Sequence, residues 1–153
     1  MSASGPQVQR AREGSLAIQF SIFLPNRVGQ LSDLLNSLDD ESIEVAGISV
    51  VDSTDWAVVR MIFINPDRAR TVLQRRSVAF TETDVLAIVL EGPGSLRSAC
   101  NALISAEMNV QFAYPLLIQQ EGRPVLALHV DDHPLGRDVL VKHGFALLDW
   151  RGG

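Results

Sequence analysis

The tetrapeptide Val28-Gly29-Gln30-Leu31 returns sixty-five positions later as Pro93-Gly94-Ser95-Leu96, glycine on glycine and leucine on leucine. The same shift sets Leu38 on Leu103, Ile43 on Met108 and Val45 on Val110. Further on the shift becomes sixty-seven, with Leu73 matching Leu140, and the two extra residues are expected in a hairpin turn between Leu117 and Arg123. Self-similarity at a fixed spacing means that one supersecondary unit is used twice. The chain therefore reads as two modules, residues 15–83 and 84–150, behind a tail of residues 1–14. That tail is too poor in apolar residues to offset the entropy of ordering, and it is expected to be flexible.

Working outward from the first glycine, Leu16 to Leu24 alternates apolar positions (Leu16, Ile18, Phe20, Ile22, Leu24) with Ala17, Gln19, Ser21 and Phe23, a period-two strand. Leu31, Leu34, Leu35 and Leu38 follow at helical spacing until Asp39-Asp40-Glu41-Ser42 breaks the pattern. Ile43–Val51 and Ala57–Ile64 read as a hairpin, and Asn65-Pro66 as a helix start with asparagine capping and proline in the first turn. Ser77–Thr81 is expected as a short fourth strand. The second half repeats the series: Asp84–Leu90, Ser95–Ala106, Asn109–Ile118, Val125–Val130, a helix begun by Asp131-Asp132-His133-Pro134, and Phe145–Leu148. The predicted class is α+β, two ferredoxin-like βαββαβ modules with antiparallel sheets and both helices on one face. Modules of about 65 residues are near the lower limit for an independent core, so their sheets are expected to associate within or between chains.

Net charge is −5 and the pI about 5.1, leaving no basic field to attract a nucleic acid or an anionic membrane surface. The single cysteine, Cys100, can form neither an intrachain disulfide nor a cysteine-based zinc site; a reducing, cytoplasmic setting is expected. No apolar run is long enough for a spanning helix, and no signal-peptide core opens the chain.

The chemistry concentrates where the first strand ends. Leu24-Pro25-Asn26-Arg27-Val28-Gly29-Gln30-Leu31 carries a strand into a glycine turn and then a helix, which converges unpaired backbone N–H groups at a helix start. Such a place suits a carboxylate; on spacing alone, Gly29 can equally be no more than a turn residue. This run, the helix ending before Ile43-Glu44-Val45, and the later Ala106-Glu107-Met108-Asn109-Val110 resemble the ACT domain of aspartokinases and other regulated amino-acid enzymes. The resemblance covers about residues 15 to 150 as two copies and is greatest to stand-alone tandem ACT proteins without a catalytic domain. It implies a non-catalytic regulatory protein that binds an amino acid at the glycine loop, often across an interface with another ACT module. Carried over residue by residue, it points to Asn26, Arg27, Val28, Gly29, Gln30 and Leu31, with Asn109 from the second copy. The second loop, Glu91-Gly92-Pro93-Gly94-Ser95, keeps the glycine without the Asn-Arg pair, so Gly92, Gly94 and Ser95 are the weaker set.

Two other classes compete with this reading. A regulatory subunit of a separate enzyme, such as the small subunit of acetohydroxyacid synthase, would carry a similar loop and need a catalytic partner. A small enzyme on this fold would use His133 or His143 as its base. No nucleophile with a base, paired acid and base, cofactor fingerprint or metal-ligand cluster is visible, so no catalytic residue, cofactor or metal is assigned. His129 and His133 are four apart but fall on a strand and a helix start, not on one helix face. Asp131 and Asp132 are read as helix caps, Cys100 as a small buried hydrophobe, and Arg68, Arg70, Arg75 and Arg76 as a solvated face. High apolar content on small modules predicts a homodimer.

Overall fold

A computed structural model describes residues 16–25 and 28–148. The expected tail, Asn26, Arg27 and the last two positions of the second module lie outside them. The chain divides into two compact units, Ile18–Thr83 and another holding the described residues from Asp84 on together with the first two residues of the opening strand, Leu16 and Ala17.

The first unit contains β1 (Leu16–Pro25), α1 (Gln30–Asp40), β2 (Val45–Asp52), β3 (Trp56–Phe63) and α2 (Pro66–Arg75). β3 pairs antiparallel with both other strands, Phe20 opposite Met61 and Ile48 opposite Met61. Alternation does the sorting here. Phe20, Ile22 and Leu24 of β1 join Val59, Met61 and Phe63 of β3 on one face, and Leu34 and Leu38 of α1 with Ala69, Val72 and Leu73 of α2 complete the core. Both helices thus cover the same side of the sheet. Asn65 caps α2, its side chain accepting from the Arg68 N–H at 3.2 Å, with Pro66 in the first turn as the sequence implied.

The separately expected fourth and fifth strands are one strand, β4 (Ala79–Val89). Nothing in Thr81-Glu82-Thr83-Asp84 bends the chain: the segment has no glycine or proline, and β-branched threonines favour extension. The division between units falls inside this strand, after Thr83.

In the second unit follow α3 (Ser95–Ser105), β5 (Val110–Gln120), β6 (Arg123–Val130) and α4 (His133–Lys142). β6 lies between β4 and β5, antiparallel to both. The expected last strand is reduced to a bridge between Leu147 and Ile88, flanked by Val89 N–H to Ala146 O and Leu148 N–H to Ala87 O. Leu86, Ile88, Ala99, Leu103, Leu126, Leu128 and Leu140 form its core, again under both helices.

The repeat extends to backbone detail. In the β2–β3 hairpin the register slips at Ala46, between Val45↔Phe63 and Gly47↔Ile62; in the β5–β6 hairpin it slips at Gln111, between Val110↔Val130 and Phe112↔His129. The two extra residues are not in the turn. They enter β5, where the register moves between Pro115↔Leu126 and Gln119↔Pro124. Pro115 has no N–H to give the ladder, so pairing gives way there at least cost. The turn itself is the tight pair Glu121-Gly122, both at positive φ, as a two-residue hairpin requires.

Among the described residues, the four helices end alike. After α1, Ser42 takes φ 57, its N–H reaching Asp39 O while Ile43 N–H reaches Leu38 O. Ser77 and Val78 do the same on Gln74 and Leu73, Glu107 and Met108 on Ile104 and Leu103, and Gly144 and Phe145 on Val141 and Leu140. This is the Schellman pattern, in which one left-handed residue lets two N–H groups satisfy the last carbonyls and turns an apolar side chain back onto the core. Among the described residues, no helix is long and apolar enough to cross a membrane.

Candidate functional site

β1 is held by β3 as far as Pro25 opposite Trp56. Val28 is fully exposed, and Gly29 sits at φ 91, ψ −12 as the N-cap of α1. An ordinary residue pays to adopt that left-handed conformation, which is why glycine is found at this turn. Asp33 N–H closes the first helical turn on Gly29 O at 2.8 Å, and Gly29 supplies no side-chain cap. The N–H groups of Gln30, Leu31 and Ser32 precede the first i to i−4 bond of the helix and have no acceptor within it. Leu31 packs half-buried against the core of its unit. Val28, Gly29, Gln30 and Leu31 are therefore consecutive around one helix start, as the sequence implied.

The second loop matches the first in backbone at its glycine. Gly94 stands at φ 87, ψ −10 and Ser98 N–H returns to Gly94 O at 2.9 Å. Here the Ser95 hydroxyl accepts from Glu91 N–H at 3.0 Å and from Gly92 N–H at 3.1 Å. Two donors that could have faced a ligand are thus satisfied by the loop's own side chain. Sequence reasoning placed Ser95 among the weaker ligand contacts and missed this role; the signal was serine at 95 where the repeat has Gln30. A shallow depression of about 560 Å³ lies beside this loop, lined by Gly94, Leu96, Arg97 and Cys100. Cys100 is accordingly half-exposed, not buried as expected.

Asn109 is not gathered to the second loop. It follows the C-terminus of α3 while Gly94 caps the N-terminus, which separates them by roughly 16 Å of helix at 1.5 Å per residue. Its N–H donates to Asp131 Oδ2 at 3.3 Å, and Asp131 Oδ1 accepts from Gln111. Asp131 thereby ties β5 to the turn before α4, and only Asp132 is a cap, accepting from Leu135 N–H at 3.0 Å. Arg68, Arg75 and Arg76 are exposed as expected, and Arg70 is half-buried. Arg68 donates to Glu41 O, Arg75 pairs with Glu41 at 3.1 Å, and Arg70 grips Glu82 through Nε and Nη2 at 2.6 and 2.7 Å while touching Asp67 at 2.8 Å. This fork raises the Arg70 guanidinium above its ordinary value and holds the Glu82 carboxyl below its own. Of the two histidines considered as bases, His133 opens α4 and His143 follows its end, its Nδ1 2.9 Å from Val139 O.

The model of the ACT domain pair matches residues 16–150, nearly the whole chain. The chain belongs to the ACT domain pair family. The ACT domain is a regulatory, small-ligand-binding type of domain. This pair shares its fold with a protein from Bacteroides thetaiotaomicron at 24% identity and a TM-score of 0.80, over 88% of this chain and 92% of that one. The regulatory subunit of aspartate kinase from Thermus thermophilus is similar at 14% identity and a TM-score of 0.57, over 84% and 92%. Its counterpart from Thermus flavus gives 13%, 0.53, 84% and 89%. No curated protein matches the ACT pair.

Proposed function

We propose that this ACT pair is a non-catalytic regulatory protein of the cytoplasm whose first β–α loop takes the carboxylate of an amino acid. The modules are residues 15–83 and 84–150, which share the long strand β4, and the contacts are Asn26, Arg27, Val28, Gly29, Gln30 and Leu31. One observation carries the reading. Gly29 begins α1 with no side-chain cap, and the N–H groups of Gln30, Leu31 and Ser32 have no acceptor within the helix; in the second loop the Ser95 hydroxyl takes the Glu91 and Gly92 N–H groups ahead of the helix. Arg27 adds a cation two residues before the glycine. Gly92, Gly94, Ser95 and Asn109 are secondary contacts at most. A thermal-shift series over the twenty amino acids tests this, since a ligand of the native state raises stability by RT ln(1 + [L]/Kd). Selective stabilisation by one or a few amino acids supports the reading; no response to any of them at millimolar concentration removes it.

A second reading makes the protein the regulatory subunit of an amino-acid biosynthetic enzyme, acetohydroxyacid synthase being one such enzyme. It is favoured by the likeness in fold to the regulatory subunits of aspartate kinase from Thermus thermophilus and Thermus flavus. Co-purification of a catalytic subunit from the host supports it. Under either reading a homodimer closes the remaining apolar surface, and sedimentation at micromolar concentration decides between monomer and dimer.

A further inference from the structure

His129 on β6 and His133 at the start of α4 have ring centroids 4.7 Å apart. The His129 ring lies flat on Phe112, 4.7 Å away and 7° from parallel, and its Nδ1 is buried without a hydrogen-bond partner. His133 Nε2 accepts from the Val130 N–H at 3.5 Å, which requires that nitrogen to be unprotonated. The first unit has no such pair, because the sixty-seven-residue shift sets Ile62 and Pro66 at these positions.

A proton on His133 meets four oppositions. The ring is half-buried, a second imidazole faces it, Nε2 would turn a donor toward the Val130 N–H, and the charge would sit at the positive end of the α4 dipole. Two carboxylates favour the proton, Asp84 of β4 and the N-cap Asp132. Asp131 in the same turn has its oxygens on Asn109 and Gln111. Burial and His129 prevail, and His133 is held below its ordinary 6.5.

We propose that the His129–His133 pair is a proton-operated latch: mild acidification loosens the start of α4 in the second unit and leaves the first unit closed. The sign follows from linkage. A folded-state value below the unfolded one means that the neutral ring's contribution is complete above about pH 6.5 and is lost as pH falls from there through the folded value.

Hydrogen-exchange protection factors measured on the full chain at pH 7 and pH 5 test the latch. Leu135 and Gly136, whose N–H groups are held by Asp132, should lose protection, while their counterparts Arg68 and Ala69 in α2 keep theirs. His133→Gln retains an acceptor without the titration and should abolish the loss. Unchanged protection at α4, an equal loss at α2, or an equal loss in His133→Gln overturns the proposal. Should that variant not fold, His129→Phe decides: it keeps the stack on Phe112 and must move the His133 imidazole titration upward, and an unmoved titration overturns the latch.

Discussion

Gly29 and Gly94, sixty-five residues apart, hold the same left-handed conformation within a few degrees, each as the N-cap of a helix that follows a strand. The turn has the same backbone need for glycine in both copies.

A Cβ at Gly29 meets no atom within 4 Å, and one at Gly94 meets only the end of Arg97 at 3.9 Å. Alanine at either position therefore costs backbone strain alone, about 1 kcal/mol. The two variants should show equal losses in urea unfolding. Ligand affinity should fall at least tenfold, about 1.4 kcal/mol, only in Gly29→Ala. Calorimetric titration of both folded variants checks this, and equal binding by wild type and Gly29→Ala would leave that glycine a turn residue.

Ser95→Ala frees the Glu91 and Gly92 N–H groups. Both are at the surface, so water replaces the hydroxyl and the stability cost should stay near 1 kcal/mol or less. The measurable consequence is in the amide spectrum. Adding acetate as a simple carboxylate should shift Glu91 and Gly92 in the variant but not in wild type.

Ser77 occupies a left-handed position, φ 57, that its counterpart Gly144 fills with glycine. Ser77→Gly should stabilise the protein by about 0.5 to 1 kcal/mol, because relief of the native strain outweighs the added freedom of the unfolded chain. A lower urea midpoint than wild type would contradict this.

Arg70 and Glu82 join through two hydrogen bonds with each side chain less than one-third exposed. Glu82→Gln should cost about 1 kcal/mol at pH 7. Because the folded Glu82 value is lowered, its contribution is present above the ordinary glutamate range and disappears as pH falls through the folded value. Unfolding curves for wild type and variant should therefore converge as the pH falls below the ordinary glutamate range.

Much of the architecture was legible because it is local. Periodicity separates Leu31, Leu34 and Leu38 on a helix from Phe20 and Ile22 on a strand, and Asn65-Pro66 and Asp132 announce helix starts through contacts three residues long. The repeat added the domain plan and the candidate loop, since a glycine that recurs in register between strand and helix has a backbone reason to be there. The fusion of two expected strands into β4, and the entry of the extra residues into β5 instead of its turn, were not legible. Both depend on which partner strand lies alongside, and the pairing register is settled only when β6 packs against its neighbours. The same holds for side chains. Whether Ser95 faces its own loop, Arg70 reaches Glu82 twelve residues away, or His129 lies on Phe112 is decided by packing that brings distant positions within hydrogen-bond or ring-contact range. Sequence by itself determined the elements and their order, because these follow from each residue's near neighbours; the tertiary structure alone decided which polar groups are already satisfied, because that depends on distances across the fold.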